Sequence, residues 1–183
     1  MTVKAAISEN VFGEDMTRFA DLLPEPTRGF YLAPRGEHYK LLKNLGRQFP
    51  GPKLDIGTAT GASALALYDG SPSVISYDTA ITPRPMEDIT WRTGDGIAAI
   101  PGHLGCSLIL LDVDPHDGWN ERACVSILRG AWTGLLVCDD IHLNTAMHEW
   151  WEQLPEPKWD VTAFGHHTGT GIIGFGGAEV LLG

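Results

Sequence analysis

The feature that most constrains this chain is the run KLDIGTATGASALAL at residues 53–67. A short apolar segment passes through Asp55, meets glycines at 57 and 61, and continues into an alanine-rich stretch of helical character. That order describes a strand, a tight turn and a helix start. Gly57 permits the sharp turn, and Gly61 lets the free N–H groups of a helix N-terminus approach a ligand closely. Ala59 stands where a dinucleotide-binding fingerprint has its middle glycine, and Asp55 precedes the turn, so a nicotinamide-dependent oxidoreductase is disfavoured. A second apolar run, SVISYD, ends in Asp78 about 20 residues after the turn, where a doubly wound sheet places the acid that binds ribose hydroxyls.

Further along, SLILLD and TGLLVCDD are continuous apolar runs of the kind buried at the centre of a parallel sheet. They alternate with helical patterns at residues 120–129 and 144–153. Two closing strands, WDVTAFGHH and TGIIGFGGAEVLL, are close enough to pair as an antiparallel hairpin. The connector TAITPRPMED has room for a loop or a single turn only, and ITWRTGDG reads as a strand ending at Asp95. The expected fold is α/β: a mostly parallel, Rossmann-like sheet with helices on both faces and a C-terminal antiparallel hairpin strand. Residues 36–183 form its single domain. Residues 1–35, broken by Pro24, Pro26 and Pro34, read as an arm or lid, or as a contact in a homodimer, with one helix near residues 15–23.

A formal net charge of −10 over 183 residues, without a basic stripe, argues against nucleic acid. No run is apolar enough to span a membrane, and the N-terminus lacks the apolar core of a secretory signal. Cys106, Cys124 and Cys138 have no metal-binding spacing and read as buried thiols in a reducing, cytoplasmic compartment.

Acids gather at the strand ends: Asp55, Asp78, Asp95, Asp112 and the pair Asp139–Asp140. Helix capping explains one such acid readily, but five on one rim call for more. Asp112, Asp139 and Asp140 end adjacent strands, and three oxygen donors suit a hard octahedral cation such as magnesium. The alternative is a solvated acidic rim.

Together DIGTATGAS, Asp78 and these acids resemble the class I S-adenosylmethionine-dependent methyltransferases, especially the catechol-type and macrolide-sugar O-methyltransferases, over residues 37–175. The resemblance implies S-adenosylmethionine along Asp55, Gly57, Thr58, Ala59, Gly61 and Ser63, with Asp78 on the ribose. It also implies Gly94 and Asp95 at the adenine and Asp112 beside the cofactor. Asp112, Asp139 and Asp140 match the family's metal ligands for Mg2+ or another hard divalent cation. The implied activity is O-methylation of a small hydroxylated molecule. A methyltransferase-fold binding or regulatory protein is the alternative.

The lysine that catechol-type enzymes carry three residues after the strand-four acid is replaced by Pro115. His116 is the nearest substitute as general base, as in the macrolide-sugar enzymes, and its side-chain type titrates near neutrality. His142 is a second candidate base or metal partner. His166 and His167 mark a glycine-flanked turn that can reach the substrate, Trp119 suits a pocket wall, and Trp150 and Trp151 suit the core.

Overall fold

A computed structural model describes residues 3–80 and 86–183. In chain order its first half contains β1 (Lys4–Ile7), α1 (Thr27–Tyr31), α2 (Tyr39–Gln48), β2 (Lys53–Ile56), α3 (Ala62–Gly70), β3 (Val74–Asp78) and β4 (Thr90–Thr93). There follow α4 (Gly96–Ala99), β5 (Leu108–Leu111), α5 (Trp119–Leu128), β6 (Gly134–Asp139), α6 (Thr145–Gln153), β7 (Lys158–Asp160), β8 (Thr170–Phe175) and β9 (Glu179–Leu182).

Seven strands build one sheet in the order β4-β3-β2-β5-β6-β8-β7. Strands β2 to β6 run parallel, and β8 lies antiparallel to both β6 and β7. This is the expected mostly parallel sheet with one reversed strand. Every residue of β5 and β6 is buried, as strands covered on both faces require. On one face α2 and α3 pack over Leu108, Leu110 and Val137. On the other, α5 and α6 cover Ile109, Leu111 and Cys138 with Val125, Leu128, Trp150 and Trp151. The two tryptophans are core residues, as expected, and Cys106, Cys124 and Cys138 are buried free thiols.

Register determines what meets at the carboxyl edge. Ile56 pairs with both Tyr77 and Leu111, and Leu111 pairs with Cys138. The next residues, Gly57, Asp78, Asp112 and Asp139, therefore share one rim. Asp139 itself pairs with Thr170 of the reversed strand.

Two expectations change. The last expected strand splits: a turn at Gly176–Gly177, closed by Ala178 N–H donating to Phe175 O at 3.1 Å, frees β9 to pair in parallel with β1. The helix expected near residues 15–23 is a 3-10 helix, Thr17–Leu22. Within the span read as an arm or lid, Ile7, Val11, Met16, Leu23 and Tyr31 join the same core as α2 and α3. The middle of the connector after Asp78, read as a short loop, lies at residues 81–85, outside the described residues. No helix among the described residues is long and apolar enough to cross a membrane.

Candidate active site

The glycine turn and the neighbouring strand ends enclose a cavity of about 530 Å³. Gly57, Ala59, Asp78, Gly94, Asp95, Asp112 and His116 all line it, with Ile56, Tyr77, Ile97 and Val113 supplying apolar wall. The Asp78 carboxylate bridges the rim, accepting from Ala59 N–H at 2.7 Å and from Ala80 N–H at 3.0 Å. Asp95 also caps α4, accepting from Ala98 N–H at 3.0 Å. A Cβ added to Gly94 would meet no atom within 4 Å, so the backbone here faces open cavity. Outside the cavity, the Thr27 and Thr60 hydroxyls meet at 3.4 Å, bringing α1 against the turn.

Three residues expected to touch the cofactor are buried away from the cavity, Asp55 in β2, Thr58 within the turn and Ser63 in α3. Asp55 sits inside β2, not at its end, and accepts from Ser76 Oγ at 2.6 Å. Burial pushes its pKa up, opposed by the hydroxyls of Ser76, Ser63 and Thr58. Its contribution is to brace the turn from within the sheet. Gly61 caps α3 in the left-handed conformation and also stands outside the cavity lining.

Past Asp112 the cavity leads to a cluster of acids and histidines. His116 Nε2 lies 3.3 Å from Asp140 Oδ2, 3.7 Å from Asp114 Oδ1 and 3.8 Å from Asp112 Oδ1. Its Nδ1 faces Glu121 Oε1 at 3.9 Å. Deeper in, His38 Nδ1 lies 3.2 Å from Asp139 Oδ1, and His166 Nδ1 lies 3.3 Å from Asp139 Oδ2 and 3.2 Å from Asp140 Oδ1. Thr170 donates to Asp139, and Thr168 to Asp140.

The electrostatics follow from this interleaving. Burial disfavours ionised Asp139, but the flanking His38 and His166 imidazoles hold its carboxyl well below the usual range. Burial likewise opposes a charge on His38, yet Asp139 raises its pKa to about 9. His166, hydrogen-bonded to Asp139 and Asp140, rises to about 10. Asp112 is shifted upward by desolvation and by the Asp139 charge.

The expected metal set is not reproduced. Among the described residues the donor groups converging within 4.8 Å are His38–Asp139–His166 and Glu37–His166–His167, not Asp112–Asp139–Asp140. Adjacent strands do bring the three acids to one end of the sheet, but imidazoles stand between them. As a set, Asp112, Asp139 and Asp140 therefore do not fit a magnesium ion in this arrangement. His142 turns away from the cluster: its Nε2 pairs with Asp160 Oδ2 at 2.8 Å and its ring packs on His148. Trp119 is 76% exposed and forms no wall of the cavity. Nothing in the sequence around His38 marks it as a site residue. GHHTGTG offers His166 as a residue of a turn that can reach the substrate, not as a partner of Asp139.

The strand order, the glycine turn after β2 and the acid ending β3 define the class I S-adenosylmethionine-dependent methyltransferase fold. Solved structures bear this out. They include an O-methyltransferase from Bacillus cereus in complex with SAH, 16% identical, covering 84% of this chain and 86% of that one with a TM-score of 0.51. TomG, an O-methyltransferase from Streptomyces achromogenes in complex with SAM, is 15% identical over 89% of this chain and 92% of its own, with a TM-score of 0.58. The SAH-bound methyltransferase PaMTH1 from Podospora anserina is 16% identical over 90% and 86%, with a TM-score of 0.53. No protein-family model matches the chain, and no curated protein does.

Proposed function

We propose that this protein is an S-adenosylmethionine-dependent O-methyltransferase acting on a hydroxyl of a small molecule. One observation carries the reading: the cavity that begins at the glycine turn and Asp78 ends at His116, so a nucleotide-binding rim and a proton acceptor share one space. When bound, S-adenosylmethionine supplies a methyl group already activated on a sulfonium. The chain's own residues then have two tasks. Asp78, Gly94 and Asp95 hold the nucleoside end, with Asp78 accepting from ribose hydroxyls. His116 accepts the substrate hydroxyl proton at its Nε2, where Asp112, Asp114 and Asp140 stabilise the resulting imidazolium.

A divalent cation at Asp112, Asp139 and Asp140 is not part of this reading, because imidazoles stand between those acids. Magnesium at those acids requires His38 and His166 first to release the oxygens of Asp139. The net charge of −10 favours a small-molecule substrate over nucleic acid, and three buried, unpaired cysteines favour a reducing, cytoplasmic setting.

The test is calorimetric titration of S-adenosylmethionine with magnesium and then with a chelator, followed by turnover on vicinal diols and catechols. Binding with methylated product is expected. Saturable binding with no product across the panel would favour a binding or regulatory protein. No binding would overturn the reading.

A further inference from the structure

The group at the buried end of the site has the wrong composition for magnesium. Its converging donors are two imidazoles and one carboxylate. We propose that His38, Asp139 and His166 form a binding site for a divalent transition-metal ion of the zinc, cobalt, nickel and iron class.

Three observations support the assignment. The first is spacing: the Nδ1 atoms of His38 and His166 lie 3.2 and 3.3 Å from oxygens of Asp139. Donors bound at about 2.1 Å to one ion stand roughly 3.0 to 3.4 Å apart in octahedral or tetrahedral geometry. The second is His38 itself, only 3% exposed, with no hydrogen-bond partner on either ring nitrogen. Its Nδ1 is near Asp139 but out of line for a hydrogen bond. A buried imidazole nitrogen without a hydrogen bond costs free energy that coordination at Nδ1 would offset. The third is assembly. The three donors come from the residue before α2, the end of β6 and the loop joining β7 to β8, so an ion would tie three elements together.

Donor chemistry selects the metal class. Imidazole with carboxylate favours zinc, iron, cobalt or nickel, whereas magnesium prefers oxygen donors and retained water. Asp140 connects this site to the cavity, with Oδ1 3.2 Å from His166 Nδ1 and Oδ2 3.3 Å from His116 Nε2. The assignment does not rest on methyl transfer, because metal binding is measured without substrate.

The 183-residue chain, stripped with a chelator and dialysed, is titrated with Co2+ while visible d–d absorption is recorded, and the bound ion is then challenged with Zn2+ or Mg2+. One Co2+ per chain is expected, displaced by Zn2+ and retained against a large excess of Mg2+. His38→Gln and His166→Gln should each weaken binding by more than the roughly 10- to 100-fold typical of losing an outer partner. Asp112→Asn should retain binding. Circular dichroism of each variant separates lost binding from lost folding, and the wild-type titration decides independently of any variant. Absence of Co2+ absorption at millimolar metal would overturn the proposal, leaving the imidazoles as the cluster's own cations. Displacement by Mg2+ together with loss of binding in Asp112→Asn would also overturn it, in favour of the three acids.

Discussion

The carbonyl oxygen of Asp112 lies 1.6 Å from where a Cβ on residue 57 would stand, so the turn after β2 closes directly against the end of β5. Gly57 also has φ +91°, a region that side-chain-bearing residues rarely adopt. Gly57→Ala must therefore displace the β5 end, and Asp112 with it, or unwind the turn. The expected destabilisation is roughly 2–5 kcal/mol in urea unfolding, from backbone strain and overpacking together. S-adenosylmethionine binding should be lost even where the variant remains folded. A variant that binds with wild-type affinity would show that the turn does not form the cofactor site.

Asp78 tests the other wall of the cavity. Its carboxylate holds Ala59 N–H and Ala80 N–H, both at the rim and neither in the core. Asp78→Ala removes acceptors for those groups and for a bound ribose. Hydrogen bonds to a charged group are worth about 1.5–3 kcal/mol, so affinity for S-adenosylmethionine should fall roughly 10- to 100-fold. Thermal stability should change little, because water can reach the freed N–H groups. A large loss of stability with unchanged affinity would make Asp78 a brace for the turn only.

Central features of this fold are legible because they depend on local pattern. The apolar runs of β5 and β6 imply burial on both faces, and the glycines at 57 and 61 imply a turn before a helix. Depth and long-range docking are less accessible. Asp55 looks like an acid at a strand end, yet β2 continues to Ile56 and its carboxylate faces Ser76. Which way a strand acid points depends on register, and one residue reverses it. His38 is harder still. Nothing near it in sequence says that the start of α2 docks on the end of β6, so its meeting with Asp139 emerges only in three dimensions. The pairing of β1 with β9 joins the two ends of the chain and is similarly invisible to local periodicity.

His116 and His142 both follow strand-end acids, and the structure separates them. His116 faces the cavity and three aspartates through Nε2, whereas His142 is engaged with Asp160. His116→Asn should lower turnover about 10²- to 10⁴-fold, the usual contribution of a positioned general base, while S-adenosylmethionine affinity stays near wild type. His142→Ala should keep turnover within a few-fold. Equal losses in both variants would show that geometry in the β6–β8 region, not proton transfer by His116, limits the reaction.

Lys53 offers a pH-dependent test far from the acids. Its side chain is fully buried at the start of β2, and Nζ donates to Pro72 O at 2.8 Å, Ser71 Oγ at 3.0 Å and Gly51 O at 3.1 Å. Burial lowers its pKa from the ordinary 10.5 to about 8, opposed by the neighbouring Cys106. Between those values the unfolded chain binds a proton that the folded chain does not, so stability rises with pH across that window. Below about pH 8 both states are protonated and the full cost of burying the ammonium remains. Wild-type protein should thus gain resistance to urea between pH 8 and 10 relative to Lys53→Met. The variant will start from a different stability, because it leaves the Gly51 and Pro72 carbonyls without their donor, so the difference in slope decides. Parallel curves for the two chains would mean that Lys53 folds with an ordinary pKa and that its hydrogen bonds compensate fully for burial.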